Sequence, residues 1–302
     1  MKIVFGIYNH NLTFMNNYKT FIELTRLSRP IGYMLLFWPC TWGLTLAYDF
    51  SSSWNNYYFY LILFFLGSVL MRSAGCIVND ILDRKFDAKV FRTKNRPIAS
   101  GKISVRLAIF YSIMLCLLAF LVLINFNLFT IILALGSMPL AFTYPLMKRY
   151  TYWPQLFLGI TFNYGLILGW TAVKGEIDII PILFYFGAIF WTLGYDTIYG
   201  FQDIKDDEII GLKSTSIKFK GSAKKFLFLC YSILIVILLI GGFLIEFNSI
   251  YYFLSLLPLM HLFLYQMKIF NLNDPISCLK AFKSNNLFGL IIFINILISK
   301  NF

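Results

Sequence analysis

Long apolar runs separated by short polar stretches make up most of the chain. Nine of them approach the roughly 20 residues that a helix needs to cross a hydrocarbon core: 31–48, 57–76, 107–124, 128–147, 154–173, 179–199, 226–246, 251–267 and 287–299. The last is short, and only residues 125–127 separate the third from the fourth, which predicts an antiparallel helical hairpin. The pattern predicts an all-α fold: a polytopic membrane bundle of about nine transmembrane helices. It also predicts a single domain over residues 1–302, beginning with a polar, Asn-rich stretch at 1–20.

Composition supports the membrane reading. Apolar residues make up 59% of the chain and charged residues only 13%, against about 25% charged in soluble domains. The net charge of +12 would suit nucleic acid, but its distribution argues otherwise. Of the 26 Lys and Arg, 24 fall before the first span or in the loops after the second, fourth, sixth and eighth. Only Lys174 and Lys300 fall on the other side. The positive-inside rule then puts the N-terminus in the cytoplasm and the C-terminus outside. An even number of spans would move only Lys300, so the loops support the alternation more firmly than the number nine. Eight of the 14 acidic residues share the basic face, in two loops. Basic residues interleaved with carboxylates exclude a nucleic-acid partner. Residues 1–20 have neither the apolar core of a cleavable signal nor the Arg/Ser richness of a transit peptide. That favours a bacterial inner (plasma) membrane, with the mitochondrial inner membrane as the alternative. The five cysteines lack metal-ligand spacing and are odd in number. They read as small buried hydrophobes, and His261 as a packed or interfacial histidine.

The two acidic loops carry the candidate chemistry. Asp80, Asp83 and Asp87 are spaced i, i+3, i+7, which is one helix face, and Asn79 stands beside them. Asp196, Asp203 and Asp207 are spaced i, i+7, i+11, again one face, joined by Tyr199 at i+3. Stacked carboxylates repel unless a cation lies between them. A hard cation such as Mg2+ takes oxygen ligands, keeps waters and bridges carboxylates to phosphates. The nearby Arg92, Lys94 and Arg96 suit a multiply charged oxyanion. The bland alternative, a charge-balanced solvated loop, fits Lys218, Lys220, Lys224, Lys225 and Glu208. The clusters follow the second and sixth spans, which suggests an internal duplication of four-span units with the two acidic faces across one cavity. On the same side, Tyr144 and Lys148 share a face if the helix continues through Pro145, a residue tolerated only near a helix start or kink. Arg149, Lys213 and Arg29 complete the candidates; for Arg26 and Arg29 anion contact and snorkelling are equal alternatives.

The segments NDILDRKFD, RTKNRPIASG, YPLMKRYTYWPQ and YDTIYGFQDIKDDEIIGLKSTSI, with RPIGYMLLFWPCTWGL and KAFKSNNLFGL, span roughly 26–290. Together they resemble the UbiA-type intramembrane prenyltransferases, in the branch that prenylates 4-hydroxybenzoate for ubiquinone synthesis. The resemblance implies a nine-helix UbiA-like bundle in the lipid bilayer, acting on a polyprenyl diphosphate and 4-hydroxybenzoate with Mg2+ as cofactor and the active site on the cytoplasmic side. It implies metal binding at Asp80, Asp83, Asp87, Asp203 and Asp207 with Asn79 beside them. It also implies diphosphate contacts at Tyr144 and Lys148, and importance for activity at Asp196 and Arg149. Other acceptors within the family (a naphthoate, a haem, a homogentisate, a tetrapyrrole) and a secondary transporter with acidic ion sites are the competing expectations. The near absence of charge inside the spans argues against the transporter.

Overall fold

The computed structural model describes residues 18–301, and every regular element among them is helical. A helical segment over 18–25 leads into α1 (Ile31–Ala47), α2 (Trp54–Asp87) and α3 (Val105–Leu123). There follow α4 (Leu128–Tyr150), α5 (Pro154–Lys174), α6 (Ile179–Gly200), α7 (Ala223–Leu244), α8 (Ser249–Ile269) and α9 (Asn285–Asn301). Eight stretches are long and apolar enough to span a membrane, the last running from Pro275 to Asn301. The ninth crossing is α1, whose 17 residues sit at the lower limit for spanning.

All nine predicted runs fall on helices, with changes of extent. The second run stops at 76 in the sequence, but α2 continues to Asp87, 34 residues in all. At 1.5 Å per residue it is about 50 Å long, so the first acidic cluster rides on helix that projects past the hydrocarbon. The short ninth run is extended backward by a separate helix, Pro275–Lys283. α8 contains a π-helical turn at His261–Gln266, and buried His261 packs against Tyr265 and Phe288. In the α3–α4 hairpin, Asn127 caps α4 by accepting from Thr130 N. Its Nδ2 also donates to the Thr171 and Ala172 carbonyls of α5, fixing the hairpin to the bundle.

α1 is apolar on all sides and lies at the centre. Its most extensive partner is α5, followed by α9 and α2. Glycine makes the α1–α5 contact possible: a Cβ on Gly43 would lie 1.9 Å from Leu166 O, and one on Gly169 would lie 2.3 Å from Cys40 O. In lipid there is little hydrophobic force between helices, so close backbone packing of small residues supplies the association. α9 is held by three indoles: Trp38 Nε1 donates to Asn286 Oδ1, Trp42 Nε1 to Gly289 O and Trp191 Nε1 to Asn285 Oδ1.

α2 packs between α1 and α3, and α6 packs between α5 and α7. This recurrence agrees with a duplicated four-helix unit whose second helix carries an acidic cluster. The two clusters lie at one end of the bundle, around a common cavity. Lys174 and Lys300 influence Asp49 at the other end, placing the C-terminal ends of α1, α5 and α9 together. Among the described residues, α1 thus starts at the acidic end and α9 finishes at the opposite one.

Gly169→Ala forces a side chain onto the α1 backbone and is expected to lower stability by about 1–3 kcal/mol. Gly136 in α4 has no atom within 4 Å of its notional Cβ, so Gly136→Ala should be neutral or mildly stabilising. Thermal unfolding of both variants in detergent checks the contrast.

Candidate active site

A cavity of about 290 Å³ opens at the acidic end. Arg72, Asn79, Asp83 and Asp87 line it from α2, Tyr144 and Lys148 from α4, and Asp196 and Tyr199 from α6. Asp203, Asp207 and Lys213 follow α6, Arg92 and Arg96 come from the loop after α2, and Arg29 precedes α1. Most residues singled out from the sequence therefore meet around one space.

Three of the cavity aspartates are matched to a cation. Lys148 Nζ lies 2.5 Å from Asp83 Oδ2, and Arg96 Nη1 lies 2.8 Å from Asp87 Oδ2. Arg92 Nε donates to both oxygens of Asp203, at 2.7 and 3.0 Å, and its Nη1 donates to the Tyr199 hydroxyl. Asp206 accepts from the Phe91 backbone N–H at 3.1 Å. Arg92 and Asp206 thus tie the loop after α2 to the short helix Ile204–Ile210, so the two acidic elements are clasped together.

The shared-face reading of Asp80, Asp83 and Asp87 needs refinement. All three are buried, but Asp80 does not line the cavity. It turns behind α2, where Arg26 Nη2 at 2.5 Å and Arg96 Nη1 at 3.1 Å both meet its Oδ1. Arg26 adopts a left-handed backbone, φ 56°, unusual for a side-chain-bearing residue; the Asp80 pair holds it there. The single helical face expected for Asp196, Asp203 and Asp207 is not present. α6 ends at Gly200, and Asp203 has the non-helical φ −114°, ψ 8°. Ser216 Oγ donates to Thr197 O, a carbonyl that a continuing helix would offer to the Phe201 N–H. Phe201 N–H donates instead to Ile198 O. The break swings Asp203 and Asp207 across the cavity, where they face α2. Pro145 likewise starts a 3-10 turn, Tyr144–Leu146, and Tyr144 and Lys148 still reach the same cavity.

Two candidates lie elsewhere. Lys94 sits over the exposed Phe91 ring, 4.6 Å from its centroid, because the loop turns it outward. Arg149 lies beside α2, outside the cavity lining: it donates to Leu82 O at 2.7 Å, approaches Asp83 Oδ1 at 3.6 Å and packs on Phe86.

In the sequence Arg72 reads only as a loop charge at the edge of a span. Because α2 runs beyond 76 to Asp87, Arg72, Asn79 and Asp83 stand at i, i+7 and i+11 on one face; that spacing could have revealed it. Its guanidinium lies 5.2 Å from the Phe162 ring centroid. A Cβ on Gly32 would be 2.9 Å from Arg72 Nε, so glycine makes room for the arginine to cross α1. Phe282 from the Pro275–Lys283 helix also reaches the site, 4.5 Å from Tyr199 and 5.7 Å from Tyr195 by ring centroids. It lies in the KAFKSNNLFGL segment, but no charge or spacing there marks it as a site residue.

Below the polar cavity lies an apolar chamber of about 690 Å³ between α2, α3, α4 and α5. Arg72, Tyr144 and Phe162 line both spaces and mark their junction. A site with a charged head and an apolar shaft fits an amphiphile with a multiply anionic head group.

The donor set suits a hard divalent ion. All candidate ligands are oxygens, and buried Asp83 Oδ1 has no hydrogen-bond partner. Among the described residues no three acidic, His or Cys side chains form a ready cage. Mg2+ does not require one, since it is commonly held by one or two carboxylates with waters and phosphate oxygens.

The UbiA prenyltransferase family model matches residues 36–296. The chain is 46% identical over 283 residues to the mitochondrial 4-hydroxybenzoate polyprenyltransferase of Bos taurus, covering 92% of this chain and 74% of that one. It is 41% identical over 282 residues to the 4-hydroxybenzoate octaprenyltransferase of Vibrio campbellii, covering 93% and 97%. Its fold resembles the apo structure of a UbiA homologue from Aeropyrum pernix, with TM-score 0.74, 23% identity and coverage of 89% and 98%. It also resembles a UbiA homologue from Archaeoglobus fulgidus bound to GPP and Mg2+, with TM-score 0.68, 21% identity and coverage of 92% and 99%.

Burial, and after it the neighbouring Asp203 carboxylate, raise the Asp207 carboxyl to about 6, whereas an unfolded aspartate titrates near 3.9. The folded protein therefore favours the protonated form, and this group's contribution to stability is lost as pH rises through about 6. Asp207→Asn should raise the thermal unfolding midpoint at pH 8 and have little effect at pH 4.5. Equal shifts at both pH values would contradict the assignment.

Proposed function

The chain belongs to the UbiA prenyltransferase family, and from this we infer that it transfers a polyprenyl group from a polyprenyl diphosphate to 4-hydroxybenzoate, giving 3-polyprenyl-4-hydroxybenzoate for ubiquinone synthesis. The observation that carries the reading is the paired architecture. A cavity rich in aspartates and cations opens at Arg72, Tyr144 and Phe162 into an apolar chamber. The diphosphate occupies the first space and the start of the isoprenoid tail the second, with the rest of a long tail passing sideways into lipid.

Asp83, Asp87, Asp203 and Asp207, with Asn79, would hold Mg2+ against the diphosphate. Bound there, Mg2+ would act as a Lewis acid, offsetting charge on the departing group. Asp80 acts differently, fixing Arg26 and Arg96 so that cations point at the cavity from behind. Lys148, Arg92, Arg96, Lys213 and Arg29 supply further positive charge to the diphosphate oxygens. Arg149 positions α2 through Leu82 and Asp83, and Lys94 contributes to surface charge.

The allylic C–O bond breaks, the electron pair leaves with the diphosphate, and the allylic cation faces the rings of Tyr144 and Phe162, whose π-faces favour positive charge. The acceptor lies between Arg72, which pairs with its carboxylate, and the aromatic wall of Tyr195, Tyr199 and Phe282. The ring carbon ortho to the hydroxyl forms the new C–C bond and then loses its proton. Asp196, on the cavity wall, orients the phenol and takes its proton as the C–C bond forms, and the displaced ring proton then moves to the phenol oxygen as the ring rearomatises, so that one net proton leaves, on Asp196. A water-poor site strengthens each of these electrostatic interactions.

The protein is a multi-pass membrane protein. Its strongly basic, acidic-site end faces the compartment from which the chain is inserted, the cytoplasm of a bacterium or the matrix of a mitochondrion.

The test is an assay of membranes with Mg2+, all-trans polyprenyl diphosphate and radiolabelled 4-hydroxybenzoate. Label should enter the lipid fraction, and Asp83→Ala should reduce turnover by about 10²–10³-fold. Label that never reaches lipid, or enters equally with the variant, sinks the reading. Arg72→Gln separates the substrates: KM for 4-hydroxybenzoate should rise about tenfold or more, as for a lost charge-assisted hydrogen bond, with a smaller change in KM for the donor.

A further inference from the structure

A line of buried polar groups runs from α5 through α6 to the polar cavity. Asn163 of α5 and Thr192 of α6 are both 0% exposed. Tyr195, one turn on from Thr192, is 1% exposed yet lines the cavity. Asn163 Nδ2 donates to Gly159 O at 2.8 Å and to Thr192 Oγ1 at 2.7 Å, and Thr192 Oγ1 donates to the Tyr195 hydroxyl at 3.2 Å. The far end fixes the direction of this chain. A carbonyl only accepts, so Gly159 O requires the nitrogen of the Asn163 amide on its side. Thr192 therefore accepts from Asn163 and sends its own proton to Tyr195. A threonine inside a helix commonly returns its proton to the carbonyl one turn back, as Thr197 does to Leu193 O; Thr192 does not. Asn163 Oδ1 is buried with no partner among the described residues. Leaving an acceptor unpaired is costly, and the amide serves here through its donors alone.

The Tyr195 hydroxyl thus accepts one hydrogen bond, and its own proton has no acceptor among the described residues. The ring is held edge-on by Trp191 at 5.1 Å and by Phe282 at 5.7 Å between centroids. Arg72, Tyr144 and Asp196 act electrostatically on the hydroxyl, which sets it beside the place of the acceptor. We propose that Tyr195 donates a hydrogen bond to the phenol oxygen of the acceptor, and that Asn163 and Thr192 are positioning residues that hold it in that polarity. The proposal rests on the reaction inferred above and deepens it. Arg72 engages the acceptor carboxylate, and Asp196, next to Tyr195 in the chain, takes the phenol proton. As that proton leaves, negative charge grows on the phenol oxygen, and a preorganised donor aimed at growing charge stabilises the transition state. Tyr195 transfers no proton. Held as a donor, it does not compete with Asp196 for the one that departs. Burial of the whole line strengthens each link. An acceptor with no oxygen at that position leaves the Tyr195 donor unpaired, which disfavours it.

A double-mutant cycle on the full-length protein tests this, in membranes with Mg2+, a polyprenyl diphosphate and 4-hydroxybenzoate. Tyr195→Phe keeps the ring and removes the donor, and kcat should fall about 10²-fold. Thr192→Val keeps the shape and should lower kcat about fivefold, with Thr192→Ser restoring it. Added to Tyr195→Phe, Thr192→Val should change kcat by less than about twofold, because the link it controls is already gone. A merely structural Thr192 lowers kcat by the same factor in both backgrounds. That additive result overturns the proposal, as does full activity of Tyr195→Phe. Binding supplies a readout that needs no turnover. In equilibrium dialysis with Mg2+ and inorganic diphosphate, Tyr195→Phe should weaken 4-hydroxybenzoate about fivefold and leave benzoate, which has no phenol oxygen, unchanged. Equal weakening of the two acids also overturns the proposal. Turnover by the unmodified protein with an additive cycle refutes the donor role and leaves the reaction standing. Selective loss of 4-hydroxybenzoate binding, with no turnover by the unmodified protein, upholds the donor role and refutes the reaction.

Discussion

Carboxylates at the edge of an apolar helix bundle need compensating positive charge, and the architecture of the active end follows from meeting that need. Burial penalises each aspartate, and mutual repulsion adds to it. The chain answers by bringing cations from several elements to Asp80, Asp83, Asp87 and Asp203: Arg26 from before α1, Arg96 and Arg92 from the loop after α2, Lys148 from the end of α4. The pairs therefore join sequence-distant segments, and the cavity is the space they enclose. A cluster that would be unfavourable alone specifies how five segments of chain must meet.

The centre of the bundle solves a different problem. Helices in lipid cannot rely on the hydrophobic effect to associate, and α1 and α5 use glycine to bring backbones together at Gly43 and Gly169. This contact joins the first helices of the two four-helix units. The second helices, α2 and α6, then flank the core with their acidic ends on the same side. A short, wholly apolar α1 serves here because neighbours surround it.

Much of this was legible in the sequence. Apolar run length located all nine crossings, since a hydrocarbon layer imposes a length on each. Period 3.6 gathered the first aspartates, and charge asymmetry placed both clusters at one end. Other features were not legible, for physical reasons. The break after Gly200 goes with a hydrogen bond from Ser216 to the Thr197 carbonyl, a contact that local propensity does not encode. The turning away of Asp80 depends on an arginine 54 positions upstream. Arg72 is hidden because the apolar run that contains it ends at 76, before Asn79 and Asp83, whose face it shares. Lys94 and Arg149 lie close in sequence to cavity residues, but the loop and the α4 terminus direct them outward and behind. Phe282 looks like any of the 33 phenylalanines; only its position at the mouth of the cavity sets it apart.

The pairing of Asp83, Asp87 and Asp203 with internal cations has a consequence for encounter kinetics. The opposed charges lie within a few ångströms, so their fields largely cancel beyond a Debye length, about 8 Å at physiological ionic strength. An anionic donor approaching from a distance meets little net pull from these groups, unlike a ligand guided to an open basic patch. Capture is then governed by lateral diffusion of the lipid-borne tail, and the charges act only after the head group has arrived, by exchanging partners. Such a site acquires its selectivity for diphosphate at contact and depends weakly on salt for its on-rate.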